Sequence, residues 1–584
     1  MNMSGKRALA LSAVCVLVGS TLTACGGGSN NGLFVTPAPA PAPAQPPAPP
    51  TAPSVAVTSK GPVQAVDRLG MRSYFAIPYA KPPVGALRWQ APQAPDNWSA
   101  PLAKTNSAAA CLQTSASPFR LSADSEDCLY LDVHAPTGAG PFPVMVWIHG
   151  GAFNTGGAVT YNDPSPLVSK GVIVVNIAYR LGAMGFLGHP ALADANGSAG
   201  NYGIMDQQAA LKWVQDNIAV FAGDKSNVTI FGESAGGMSV MTHLASPLSA
   251  GLFSKAIVES GAYGVNGQLP LATLEANSTT VVNNALTAAG ISCATVDAAC
   301  LRSLPDSVVR NQLATAFNAS MSSPTPSVDG KVLPKSIKAT FAAGENNKVP
   351  LINGSNEDEY ALFIAISELG RRSAAVPPNT DPANTSFSLS AAAYPATAAG
   401  LAAGTGVTAS ALTTTHYPLA NYGSNVALQP SLAASALGTD VVFACNGLNV
   451  SKRVQTQNSP VWMYEFRDQT APPSIGLANG TTGSYALSFP QGAAHSYEIQ
   501  YLFNLHDLQT DEQRALQATM SQYWVNFAKA GNPNTGAKVP TWGSFSTGAV
   551  QGLDVASGGG VVPLSASSFA TEHKCDTVWT ALTF

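Results

Sequence analysis

Two short apolar runs, each cut off by glycines, stand out in the hydrophobic pattern. Residues 144–148 (VMVWI) and 227–231 (NVTIF) are rich in β-branched and aromatic side chains. The first has no polar residue at all, which is how a strand covered on both faces reads, and the second is short, β-branched and aromatic. The first runs into His149-Gly150-Gly151-Ala152-Phe153, the second into Gly232-Glu233-Ser234-Ala235-Gly236. After the second, Met238 to Leu244 predicts a helix. A third apolar strand ends at Leu351-Ile352, and Gly354 to Glu359 follows as a loop. The N-terminal pattern is different. Lys6 and Arg7 precede an apolar run from Ala8 to Gly19, which is too short for a comfortable membrane-spanning helix. From Thr36 to Pro53 the chain is almost all Pro and Ala. Such a segment cannot bury apolar side chains and samples extended polyproline II conformations.

The basic start, the short apolar run and then Leu22-Thr23-Ala24-Cys25 resemble a bacterial lipoprotein signal. The expectation is a signal peptide over 1–24, a lipidated Cys25, a Pro/Ala-rich linker over 25–54 and a catalytic domain over 55–584. Export and lipid anchorage in the envelope follow. The outer membrane is the expected face, because Gly26 is not the Asp of an inner-membrane retention signal. The lipid is the only membrane contact expected. The chain has 584 residues, 46% hydrophobic and 11% charged, which is ample for a large core. A formal charge of −4 gives no reason to expect nucleic acid or an anionic membrane surface as a partner.

Of eight cysteines, Cys15 leaves with the signal peptide and Cys25 is the lipid site. An even remainder in an exported chain implies disulfides. Proximity suggests Cys111–Cys128 and Cys293–Cys300, which leaves Cys445–Cys575. Closing a loop as short as the first stabilises by about 3 kcal/mol in the chain-entropy model. No Cys-x-x-Cys and no clustered histidine suggests a metal site.

Strand, Gly-x-Ser-x-Gly, helix is the context of a nucleophile elbow, with Ser234 as the nucleophile. The tight turn leaves no room for bulky neighbours, and the helix N-terminus points free N–H groups at a developing anion. The glycine-rich loop after residues 144–148 is of the kind that supplies backbone donors to an oxyanion hole. The chain order in such sites is Ser, acid, His. The histidines beyond Ser234 include His243, His495, His506 and His573. His243 falls on the helix after the serine, and His506 and His573 lack a glycine-rich loop signature. His495, in Gly492-Ala-Ala-His495-Ser496, sits in a loop and is the candidate base. Among the acids, Glu357, Asp358 and Glu359 are equivalent on physical grounds.

The motifs then accumulate in order. FAIPYAKPP (75–83), EDCLYL (126–131), NYGIMDQ (201–207), WVQDNI (213–218) and FAGD (221–224) precede the elbow. The chain resembles the type-B carboxylesterase/lipase family from about Val57 to the C-terminus. The resemblance implies an α/β-hydrolase fold: a central, mostly parallel sheet with helices on both faces and large helical insertions. It implies Glu359 as the acid, although Tyr360 stands where Gly is usual. It matches His495-Ser496-Tyr497-Glu498 to the family's His-x-x-Glu setting. Oxyanion donors carry over to Gly151, Ala152 and Ala235, with Ala152 replacing a glycine. The family's disulfides support Cys111–Cys128 and Cys293–Cys300. Glu233 matches a buried acidic neighbour, and Ser260 a serine that hydrogen-bonds the acid. The expected activity is that of a serine carboxylesterase acting on small-molecule esters as a monomer, without cofactor or metal. A lipase or amidase of the same fold is the alternative. A non-catalytic binding module is disfavoured, because nucleophile, acid, base and oxyanion loop are all present.

Overall fold

The structure is a computed structural model and describes residues 49–584 apart from 115–119, 122, 322–323, 376–377, 382 and 474–486. The expectations for residues 1–24, for Cys25 and for most of the 25–54 segment lie outside the described residues. Pro49–Phe584 form one compact unit. The end of the Pro/Ala-rich segment already belongs to it. Thr51 bridges Ala139, Ala52 is buried, and the Pro53 carbonyl accepts a hydrogen bond from the Tyr74 hydroxyl.

Among the described residues the largest sheet has 11 strands. In chain order they are β1 (Val66–Arg68), β2 (Met71–Pro78), β3 (Tyr130–Pro136), β4 (Phe142–Ile148), β5 (Ile173–Ile177), β6 (Gly223–Glu233), β7 (Lys255–Glu259), β8 (Leu351–Asn356), β9 (Val461–Phe466), β10 (Ala549–Leu553) and β11 (Val562–Ser565). Their spatial order is 1-2-3-5-4-6-7-8-9-10-11. Pairing is parallel from β5 through β10 and antiparallel toward both edges. The central strands are the continuous apolar runs, as burial on both faces requires. β5 and β7 are buried at every residue. Trp147 of β4 meets Tyr161 and Phe231 edge-on, with ring centroids 5.0 and 4.8 Å away.

Helices surround the sheet, as expected for an α/β hydrolase. Those that matter for the site are α1 (Tyr202–Asn217), α2 (Ala235–Ala245), α3 (Leu271–Ala289), α4 (Ala361–Ala374), α5 (Gln429–Gln455) and α6 (Asp511–Ala530). The large insertions lie between β7 and β8, which holds α3, and between β8 and β9, which holds α4 and α5. Helix α5 is long and apolar enough to cross a membrane, but 83% of its apolar window is buried within the protein, so it is a core helix. Its middle, Thr439–Ala444, widens into a π-helical stretch. The disulfides are Cys111–Cys128, Cys293–Cys300 and Cys445–Cys575.

Two element boundaries differ from expectation. Strand β8 continues to Asn356, so Gly354 is not in a loop. The strand pairs with β9 along its whole length and with β7 as far as Gly354, which holds its backbone whatever its side chains. Gly354 also lies flat against Tyr464, where a Cβ would stand 2.2 Å from the ring. Helix α2 starts at Ala235 rather than Met238, directly from the elbow.

Candidate active site

Ser234 joins β6 to α2 with φ 56° and ψ −122°. For a residue with a side chain this is a strained conformation that the surroundings must hold in place. The Ser234 N–H donates to the Glu259 carbonyl of β7 at 3.0 Å, and its carbonyl accepts the Met238 N–H at 2.8 Å. Gly236 is required by close approach: a Cβ there would stand 1.9 Å from the Ile148 carbonyl oxygen at the end of β4. The turn is therefore wedged between the ends of β4 and β7.

The loop after β4 lies against the serine. A Cβ on Gly150 would stand 3.1 Å from the Ser234 Cβ and 2.7 Å from Glu233 Oε2. Gly151, Ala152 and Phe153 all have positive φ, at 106°, 53° and 56°. The Gly151 carbonyl closes the turn by accepting the Asn154 and Thr155 N–H groups at 2.9 and 3.0 Å. Tyr179 buttresses it from below, donating its hydroxyl to the His149 carbonyl at 2.7 Å and stacking on the His149 ring. Gly151 and Ala152 thus follow Gly150 in a braced turn beside Ser234. Ala235 begins α2, where an N–H has no carbonyl one turn back to pair with.

His495 is 4% exposed. Its Nδ1 lies 2.5 Å from Glu359 Oε2, and Glu359 Oε1 accepts the Asn356 N–H at 2.9 Å. The three neighbouring acids part company here. Glu357 pairs with Arg467 at 2.5 Å and Gln469 at 2.7 Å. Asp358 accepts from Gln469 and from the Ala493 N–H. Only Glu359 reaches the imidazole. His243 bonds Ser249 and Gln207 inside α2's packing, and His573 lies with Asp440 and Glu465. The expected bond from Ser260 to the acid is not made, and the Ser260 hydroxyl has no hydrogen-bond partner. Both Glu359 oxygens are already occupied by Asn356 and His495.

His495 Nε2 lies 3.1 Å from Glu233 Oε1, but the two are not aligned for a hydrogen bond and Nε2 is unpaired. The Ser234 side chain interacts with the Tyr263 phenol. Phe363 and Phe443 pack on the His495 ring with centroids 5.2 and 5.0 Å away, and Tyr263 meets Phe443 edge-on. These three rings come from three separate elements and carry no spacing signal in the sequence.

Four buried carboxyl groups, Glu233, Glu259, Glu359 and Glu498, influence one another here. Burial pushes Glu233 up to about 7, with His495 opposing and Glu359 adding to the shift. Burial pushes Glu259 up to about 8 against the hydrogen bond from Trp524. Glu498 is raised well above the usual range by burial and then by Glu233, Glu359 and Glu259. For His495, burial favours the neutral ring, but Glu233 and Glu359 outweigh it and raise its pKa above 6.5. The site can therefore take a proton at Nε2 and stabilise the resulting charge at Nδ1.

The carboxylesterase family model matches residues 54–576. The para-nitrobenzyl esterase of Bacillus subtilis (strain 168) is 34% identical over 501 residues, covering 83% of this chain and 91% of that protein. Liver carboxylesterase 1 of Oryctolagus cuniculus is 31% identical over 520 residues, covering 81% and 83%. Fumonisin B1 esterase of Sphingopyxis macrogoltabida is 34% identical over 498 residues, covering 82% and 83%. Among solved structures, a thermophilic PNB esterase superposes with a TM-score of 0.69 at 28% identity, covering 89% of this chain and 99% of that one.

Proposed function

The chain belongs to the carboxylesterase family and is a carboxylic ester hydrolase, and from that premise we propose that it works through an acyl-enzyme on Ser234. The observation that carries this reading is His495, bound to Glu359 through Nδ1 and unpaired at Nε2 beside the elbow. Ser234 Oγ attacks the ester carbonyl while its proton passes to Nε2. The carbonyl oxygen becomes an anion facing the N–H groups of Gly151, Ala152 and Ala235. Collapse expels the alcohol, which takes the proton back from Nε2. Water then attacks the acyl carbonyl with His495 again as base, and carboxylic acid leaves. Glu359 holds the Nδ1–H tautomer and stabilises the imidazolium. The serine–histidine bond is absent in this arrangement, and such bonds commonly close only with substrate in place. Small-molecule esters are the substrate class.

A fluorophosphonate probe tests this directly, because only an activated serine labels. The label is expected on the peptide containing Ser234. Its rate should fall as pH drops through a value above 6.5, because the raised His495 must be neutral to act as base. Labelling elsewhere, or a flat rate down to pH 5, would overturn the reading.

We further propose that the enzyme is exported and held at the outer membrane by lipid on Cys25. The support is the Leu22-Thr23-Ala24-Cys25 sequence and three disulfides, which belong in an oxidising compartment. Cys25→Ser is expected to move esterase activity out of the membrane fraction on cell fractionation. An unchanged membrane fraction counts against the anchor.

A further inference from the structure

Behind the acid loop lies a second buried histidine between two acids. His573 Nδ1 is 2.7 Å from Asp440 Oδ1, and its Nε2 is 2.6 Å from Glu465 Oε1. All three residues are buried. Only an imidazolium donates at both nitrogens, whereas a neutral ring would turn a lone pair toward one carboxylate. His573 therefore ties α5, which carries Asp440, to β9, which carries Glu465.

Both tied elements grip the loop that bears Glu359. Gly438 of α5 lies so close to Tyr360 that a Cβ there would stand 2.2 Å from the ring. The next residue, Thr439, accepts the Tyr360 N–H on its hydroxyl at 3.0 Å. Phe443, further along the π-helical stretch, packs on His495. On the other side Arg467, which follows β9, binds Glu465 at 3.0 Å and Glu357 at 2.5 Å. Glu359 is thus held from Glu357 by the β9 side and from Tyr360 by α5. The tyrosine that replaces the usual glycine is part of this grip.

We propose that His573 is a positioning residue: by bridging Asp440 and Glu465 as an imidazolium, it holds α5 and β9 in the register that lets Glu359 meet His495. The proposal rests on the acyl-enzyme reading above. The other groups that bear on the clamp are Arg467 and Glu572, Lys574 at 3.5 Å from Asp440, the Tyr417 hydroxyl at 2.6 Å from Asp440, and Asp358 through its charge. Burial favours the neutral ring, but the bonds to Asp440 and Glu465 prevail and raise His573 to about 10. Stability from this raised pKa is fully present below the unfolded value near 6.5 and is lost as pH rises through about 10.

The test is His573→Gln, which keeps hydrogen-bonding capacity and removes the charge. For p-nitrophenyl acetate, kcat is expected to fall about ten- to a hundredfold with KM within about twofold, because the acid is displaced and not the substrate. The acid limb of kcat/KM should also move to lower pH by about half a unit or more, as Glu359 no longer raises His495 fully. Unchanged kcat, or a loss without movement of the acid limb, overturns the proposal. A Ser234→Ala control that is inactive in the same assay leaves the acyl-enzyme reading intact in that case. If His573→Gln does not accumulate as folded protein, ring nitrogen NMR of the unaltered enzyme decides. Both His573 nitrogens should be protonated at pH 8, and a neutral ring there overturns the proposal.

Discussion

Ser234→Ala is expected to lower kcat for a p-nitrophenyl ester by about a million-fold, the scale on which loss of the nucleophile acts in serine hydrolases. The substitution removes one oxygen and keeps the Cβ, so φ 56° costs alanine what it costs serine. The backbone bonds that hold the elbow, to Glu259 and from Met238, do not involve the hydroxyl. Thermal stability should therefore stay close to that of the parent, and only chemistry should disappear. Residual turnover should not exceed the thousand- to ten-thousandfold over water that an intact oxyanion hole and binding supply alone. A preparation free of other esterases that kept turnover within tenfold of the parent would remove Ser234 from the mechanism.

Glu359→Gln is the second large effect, at about ten-thousandfold in kcat. The shape is kept, but the amide can present an N–H to Nδ1 and so favour the tautomer with hydrogen on Nε2. That form cannot take the serine proton. The neighbouring Asp358→Asn should stay within about tenfold, since its partners are Gln469 and the Ala493 N–H rather than His495. The acid limb of the residual Glu359→Gln activity should move down, because one of the charges that raises His495 is gone. A collapse in Asp358→Asn with Glu359→Gln near parental activity would transfer the role to the other acid.

What could be read from sequence was whatever lies contiguous in the chain. The elbow is strand, turn and helix within a few residues, and the close packing that demands Gly236 acts over that same span. The glycine-rich loop proposed to bind the oxyanion follows its strand directly. The acid resisted choice because three carboxylates in a row differ only in where each one points. That direction is set by Arg467, Gln469 and Asn356, two of them more than a hundred residues away. The end of β8 was hidden because Gly354, Ser355 and Asn356 carry none of the apolar signal of a buried strand, although their backbones pair fully with β9. His573 looked ordinary for the same reason as the acids: its two partners lie 133 and 108 residues away, and no local pattern foretells them. For Ser260, a motif match does not say whether its hydroxyl reaches the acid, and it does not: Glu359 meets Asn356 and His495 instead.

The strand order has a consequence for how such an enzyme can diversify. Ser234 and Glu359, the proposed nucleophile and acid, lie just past the ends of β6 and β8, which are separated in space only by β7. The long helical segments after β7 and β8 leave the sheet and return to it, so they can lengthen, shorten or be exchanged while the strand ends stay in place. New substrate scope is therefore most accessible to recombination within residues 262–350 and 361–460, which leaves Ser234, Glu359 and His495 in place. The His573 clamp marks one limit on that freedom. A grafted segment replacing α5 must bring its own counterpart of Gly438, Thr439 and Asp440, or the acid it borders will lose its place.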